Sequence, residues 1–301
     1  MAIEKDWDRA FTSIGKGGDA TRDRAWKTWT QVRKFGAEKK WDLAPATITP
    51  KQLRIYLEHR AGSISPRSIQ NEASHLRRAI EGAGRVIGNV RDPGCPWSSA
   101  RLSVSPGSRI GGKAAADPKK WDLAKPNMDK DIQAVVGLCS ELGLRLKESV
   151  MAGNSLLGWQ KELEKPDSRR LGADLRIDTG TKGGRGRFLF VPPSRIEAVL
   201  AAVSVAKESV QKKSGDIVQA KDLEAAMKKV SNCFHRLGLT GANSCHGLRR
   251  AFAQEQFRWY RDSGRNETEA LKRLCNDLGH GDGRGRWVQN NYLLGGSGET
   301  A

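Results

Sequence analysis

His246-Gly247-Leu248-Arg249-Arg250, then Leu278-Gly279-His280, then Tyr292, is the stretch on which the reading of this chain turns. His246 and Arg249 lie three positions apart at a predicted helix start, so both side chains project from one face. Leu278-Gly279 is a helix stop and places His280 in or just after a turn. Two histidines, an arginine and a late tyrosine can hold a phosphodiester, move protons and attack phosphorus without a metal. Taken singly these are common residues, and their meaning depends on the rest of the chain.

Charge supplies the first constraint. The chain of 301 residues carries 52 Lys+Arg against 34 Asp+Glu, a formal net charge of +18. A cation of this size attracts polyanions, and nucleic acid is the commonest of them in a cytosol. The basic residues run the whole length and form no single amphipathic helix or terminal cluster, which argues against a membrane surface. Apolar residues make up 38% and charged residues 29%, the balance of a folded globular chain. The sequence has no apolar run long enough to cross a bilayer and no apolar segment near Met1, so the expectation is a cytoplasmic protein. The cysteines, Cys95, Cys139, Cys233, Cys245 and Cys275, form no CxxC pair, which argues against a zinc site or a disulfide framework.

Working back from the decisive stretch, the first part of the chain is helical. Ala25, Trp26, Trp29, Val32 and Phe35 recur at helical spacing over residues 19–38. Thr49-Pro50 and Ser65-Pro66 each pair a capping side chain with proline in the first turn, predicting two more helices. Arg24, Lys27, Arg67, Arg77 and Arg78 lie between the apolar rows and are candidates for phosphate-backbone contacts. Periodicity then fades from Arg85 to about Pro126, where prolines and glycines alternate with Arg101, Arg109, Lys113, Lys119 and Lys120. This reads as a partly extended basic linker. The predicted division is a helical domain over 1–110, a linker over 111–126 and a second domain over 127–301.

The second domain opens with a helix over Asp129–Leu142 that breaks at Gly143. Arg145 and Glu148 follow at a spacing that lets them pair on a helix. Considered alone, that pair reads as an ordinary surface ion pair. The only clear β signal is a hairpin, with alternation over Leu175–Asp178, a turn through Thr181-Lys182-Gly183-Gly184-Arg185-Gly186-Arg187, and a strand at Phe188–Val191. Its tip carries Lys182, placed to touch a leaving oxygen, and Arg185 and Arg187, placed to enter a DNA groove. The fold class is therefore mainly α with a small β-hairpin.

In order and approximate spacing these pieces resemble the tyrosine recombinases of the phage-integrase type. Gly143-Leu144-Arg145-Leu146-Lys147-Glu148 is similar to their first arginine motif, and the Lys182 hairpin to their hairpin lysine. His246-Gly247-Leu248-Arg249 resembles their His-x-x-Arg box, and Leu278-Gly279-His280 with Tyr292 their final histidine and nucleophile. The helical first domain resembles their DNA core-binding domain. The resemblance implies an integrase of a mobile genetic element, a site-specific recombinase working on double-stranded DNA through a 3′-phosphotyrosine. It implies that Arg145 and Arg249 grip the phosphate, with Glu148 supporting Arg145. Tyr292 would then attack, Lys182 protonate the leaving 5′-oxygen, His246 exchange a proton with the tyrosine, and His280 bond the phosphate. It further implies self-association into a tetrameric synapse on DNA, accessory DNA-bending or directionality proteins, and no metal or other cofactor.

Two alternatives use the same residues: a DNA-binding protein without catalysis, and a type IB-like topoisomerase. Tyr292 follows His280 by twelve residues, longer than the family's common spacing, and the excess falls in the loop Gly281-Asp282-Gly283-Arg284-Gly285-Arg286. The tail after the tyrosine is rich in glycine and a poor helix former. Tyr260 is a rival nucleophile on the His246 helix, but a rise of about 1.5 Å per residue puts it roughly 21 Å from His246, so it is assigned to packing.

Overall fold

The computed structural model describes residues 19–41, 43–85, 114–211, 214–281 and 283–293. Residues 1–18, 86–113 and 294–301 lie outside the described set, and with them Arg101, Arg109, Lys113 and the glycine-rich tail. The chain divides into two units, Met1–Ser108 and Arg109–Ala301. No helix among the described residues is long and apolar enough to cross a membrane.

In the first unit α1 (Asp19–Glu38), α2 (Pro50–Ala61) and α3 (Pro66–Gly82) form where periodicity and caps predict them. Thr49 caps α2 by accepting the Gln52 N–H at 3.2 Å, while the Gln52 carboxamide takes the Thr49 N–H at 2.8 Å. Ser65 caps α3 by accepting the Ser68 N–H at 3.2 Å. Trp29, Val32, Leu53, Leu57, Leu76 and Ile80 close a core between the three helices. Arg60 and the Tyr56 hydroxyl both turn inward onto Glu72.

The second unit begins with a departure from the sequence reading. Residues 118–124, assigned to an extended linker, form α4 (Pro118–Ala124). Asp117 accepts the Lys119 N–H at 3.0 Å and Pro118 occupies the first turn, the same combination of cap and proline that starts α2. Trp121 is buried edge-on against Phe234 at 5.2 Å, and the Ala116 N–H donates to the Gly247 carbonyl at 3.2 Å. The stretch 116–124 is therefore packed structure within this unit.

Then come α5 (Lys130–Leu142), α6 (Leu146–Val150), α7 (Gly153–Leu163) and α8 (Ser168–Leu171). The strands β1 (Ala173–Ile177) and β2 (Arg187–Val191) pair antiparallel, with Ala173 opposite Val191 and Ile177 opposite Arg187. They are followed by α9 (Ile196–Ser209), α10 (Leu223–Arg236), α11 (Cys245–Asp262), α12 (Glu267–Asp277) and α13 (Gly285–Val288). A single π turn, Gln289–Leu293, ends the described chain. Helix α5 carries Val135, Leu138 and Leu142 into the centre of the core and packs on both α9 and α11. The hairpin is held between α7 and α12, with the Trp159 indole N–H on the Arg176 carbonyl at 2.8 Å.

Candidate active site

Gly143 ends α5 in the left-handed conformation at φ 56°, and a Cβ there would run into the Phe252 ring. The chain reverses and Arg145 becomes the N-cap of α6. Glu148, at the third position of that helix, accepts the Arg145 backbone N–H at 2.9 Å and its guanidinium at 2.6 Å. This is the pair read from sequence as a surface contact. That reading is corrected: the Glu148 side chain is fully buried, whereas Arg145 is 26% exposed.

Two further arginines reach the same carboxylate. Arg187 forks onto it, one nitrogen to each oxygen at 2.9 Å, and Arg249 lies 3.9 Å away. Burial alone would raise the Glu148 pKa. The hydrogen bonds and charge of Arg187, the charge of Arg249 and the Arg145 N–H outweigh burial and hold the carboxyl at about 2. Three guanidiniums around one carboxylate leave two positive charges in excess.

The Arg249 side chain is buried. Its terminal nitrogens donate to the Gly143 and Leu278 carbonyls, and its Nε points to the Tyr292 hydroxyl at 3.4 Å. Arg145 shares the Leu278 carbonyl at 3.2 Å, and Arg187 Nε takes the neighbouring Asp277 carbonyl at 2.7 Å. The turn before His280 is thus held by all three arginines. Burial lowers the Arg249 pKa, with Arg145 and Arg187 acting in the same direction and Tyr292 and Glu148 opposing them.

The longer interval between His280 and Tyr292 closes. Helix α13 and the π turn return Tyr292 so that its hydroxyl lies 3.3 Å from His280 Nε2, with only 2% of the residue exposed. The Trp287 ring covers His280 at 4.6 Å between centroids. Burial, followed by the charges of Arg249, Arg145, Arg284 and Arg187, drives the His280 pKa down to about 3, so its imidazole is neutral at neutral pH. His246 is exposed at the start of α11, its ring 5.6 Å from that of Tyr292.

Arg145, Glu148, His246, Arg249, His280 and Tyr292 therefore converge. Lys182 does not join those contacts. It is exposed on the turn between β1 and β2, where Gly183 and Gly184 take positive φ. Arg185 is exposed on the same turn. Arg187, assigned by sequence to the groove-facing tip, is instead the first residue of β2 with its side chain 6% exposed. Strand alternation puts it on the buried face with Leu189 and Val191 while Phe188 faces out. Trp287 is a neighbour of the site that no motif marks; an aromatic ring five positions before Tyr292 is its one signal in the sequence.

Tyr260 has a different neighbourhood. Its buried hydroxyl donates to Asp277 at 2.7 Å, and burial together with that carboxylate raises its pKa. On the first unit Arg24, Lys27, Arg67 and Arg78 are exposed, and Arg77 is half-buried beside Glu81 at 3.8 Å. Thr28 of α1 meets His75 of α3 at 3.0 Å, and burial and then the charges of Arg78 and Arg24, with Glu72 opposing, lower the His75 pKa. Arg24 and Arg78 therefore share one neighbourhood.

A family model described as Integrase matches residues 103–255. The chain belongs to the integrase family, the tyrosine recombinases. Among solved structures it is similar to the XerH site-specific recombinase bound to its palindromic difH substrate in a post-cleavage complex. That match has a TM-score of 0.54 and 15% identity, covering 90% of this chain and 76% of the other. A pre-cleavage complex of XerH with difH gives 0.51 and 13%, over the same shares of each chain. At these identities the likeness is one of fold. No curated protein matches the sequence.

Proposed function

We propose that this protein is a site-specific DNA recombinase that cuts and rejoins double-stranded DNA through a 3′-phosphotyrosine at Tyr292. The observation that carries the reading is the meeting of the Tyr292 hydroxyl with Arg249 Nε and His280 Nε2 beside a cluster with two guanidinium charges in excess. That surplus matches a scissile phosphate, whose negative charge is concentrated on its non-bridging oxygens as phosphorus becomes pentacoordinate.

Arg145, the more exposed of the two phosphate-gripping arginines, meets the phosphate first, and Arg249 engages it as the Tyr292 hydroxyl turns toward phosphorus. The tyrosine oxygen bonds to phosphorus while the bond to the 5′-oxygen breaks. Lys182 gives that oxygen its proton and leaves a 5′-hydroxyl. His246, open to solvent, takes the tyrosine proton. His280, whose imidazole is neutral in the free protein, hydrogen-bonds the phosphate. Rejoining reverses these steps with an incoming 5′-hydroxyl, so the phosphoester bond energy is conserved and neither ATP nor a metal is called for. The first unit is the core-binding domain, with Arg24, Lys27, Arg67 and Arg78 on the phosphate backbone. Four subunits assemble on paired sites.

The test uses duplexes nicked beside the cleavage position, taken from the ends of the element that carries the gene. A covalent adduct that survives SDS and is lost in Tyr292→Phe is the expected result. Retention of DNA without an adduct would leave a binding protein only. Relaxation of any supercoiled plasmid regardless of sequence would point to a topoisomerase.

A further inference from the structure

We infer that Arg187 is a positioning residue for the strand cleavage proposed above, and not a DNA contact. Its guanidinium is committed on three sides: to each oxygen of Glu148 and, through Nε, to the Asp277 carbonyl. Gly279 folds against it at φ 63°, where a Cβ would come within 2.8 Å of Arg187 Cδ, so the turn leading to His280 is shaped on this side chain.

Three consequences follow from that geometry. Arg187 supplies one charge against Glu148, so the cluster keeps two guanidinium charges in excess although Arg145 also bonds that carboxylate. It fixes the Asp277–Leu278 backbone whose next carbonyl is gripped by Arg145 and Arg249, and so sets the origin of His280. As the first residue of β2 it also ties the hairpin that carries Lys182 to the arginine cluster. A lysine in its place keeps the charge but cannot fork onto Glu148 and reach the Asp277 carbonyl together.

The inference rests on the recombinase reading, and the experiment separates the two. Arg187→Ala, Arg187→Lys and Arg185→Ala are compared on the nicked duplexes, measuring affinity over a salt series and adduct formation at saturating DNA. Both Arg187 variants are expected to keep the wild-type salt dependence, because they lose no phosphate contact, while cleavage slows roughly 10- to 100-fold, the scale on which residues that orient ligand-bearing groups act. Added guanidinium should restore part of the rate to Arg187→Ala. Arg185→Ala, on the exposed turn, should instead weaken binding and lower the salt slope by about one. The lysine variant guards against failure of the alanine variant to fold. Cleavage unchanged in the Arg187 variants, a lowered salt slope, or a loss that tracks only the folded fraction and ignores guanidinium would overturn the inference. A wild-type protein that forms no adduct defeats the recombinase reading, and this inference with it, before any variant is compared.

Discussion

Each unit sets a glutamate against arginine, Glu72 partly buried and Glu148 fully so, and the two are balanced differently. In the first unit Glu72 meets one guanidinium, that of Arg60 at 2.9 and 3.3 Å, and the Tyr56 hydroxyl at 2.8 Å. One cation answers one anion and the carboxylate is satisfied. In the second unit Glu148 is surrounded by Arg145, Arg187 and Arg249. Satisfying the carboxylate does not require three cations, and like charges this close in a partly dry site repel one another. An arrangement that works against folding locally, held by a turn at Gly143 and another at Gly279, is the mark of a place kept for a ligand. Glu72 belongs to the scaffold; in the proposed recombinase Glu148 organises the site.

The comparison can be broken most forcefully at the two glutamates. Glu148→Gln leaves the nearly buried Arg187 without its counter-charge and should cost about 3–5 kcal/mol, the scale of a broken buried pair. Glu72→Gln should cost less, about 1.5–3 kcal/mol, because Arg60 is 22% exposed and can turn to water. Urea unfolding of each variant measures both, and equal costs would erase the distinction. Arg145→Ala comes next. Removing a donor aimed at developing charge should slow adduct formation by roughly 10²–10³, whereas Arg60→Ala should leave the cleavage rate of bound protein unchanged.

Acid titration sharpens the contrast within the second unit. Glu148 is held down at about 2, so its contribution to stability is present above its ordinary value of 4.5 and is lost as pH falls through about 2. Asp277 behaves oppositely. Burial raises it from 3.8 to about 6, against the hydrogen bonds of Tyr260, Phe190 N–H and Gln256 and with Asp174 adding to the rise. Its contribution is complete below 3.8 and is lost as pH rises through about 6. Asp277→Asn should therefore remove a decline of roughly 2 kcal/mol between those values, and Glu148→Gln the loss in strong acid. Stability curves against pH for wild type and both variants check the signs. The smallest effect is in the first unit, where Thr49→Ala removes a cap and should cost about 1 kcal/mol by thermal unfolding, with cleavage by bound protein unaltered.

Most of the helices could be read from caps and periodicity, because Thr49-Pro50, Ser65-Pro66 and Gly143 act locally. The residues that the fold brings together, Lys182 not among them, could be picked out too, since His246 and Arg249 share one helix start and Glu148 lies one turn from Arg145. Their environment could not. Starting the second strand at Phe188 placed Arg187 in the turn; starting it one residue earlier, where pairing with Ile177 begins, puts it inside. The proline-rich run hid α4 because its prolines read as breaks, although Asp117-Pro118 is also a helix start. Residue spacing gave no means of learning that α13 and a π turn would bring Tyr292 back to His280, since that closure depends on Val288 packing into the core and the half-exposed Trp287 ring lying on His280.

The two buried tyrosines of the second unit give the most direct test. Tyr260 is locked to a carboxylate, and Tyr292 faces a guanidinium and a neutral imidazole. Proteolysis of the trapped covalent complex followed by mass mapping identifies the DNA-linked peptide. The account predicts linkage at Tyr292, retained in Tyr260→Phe. Linkage at Tyr260, or at a residue other than Tyr292, would contradict it.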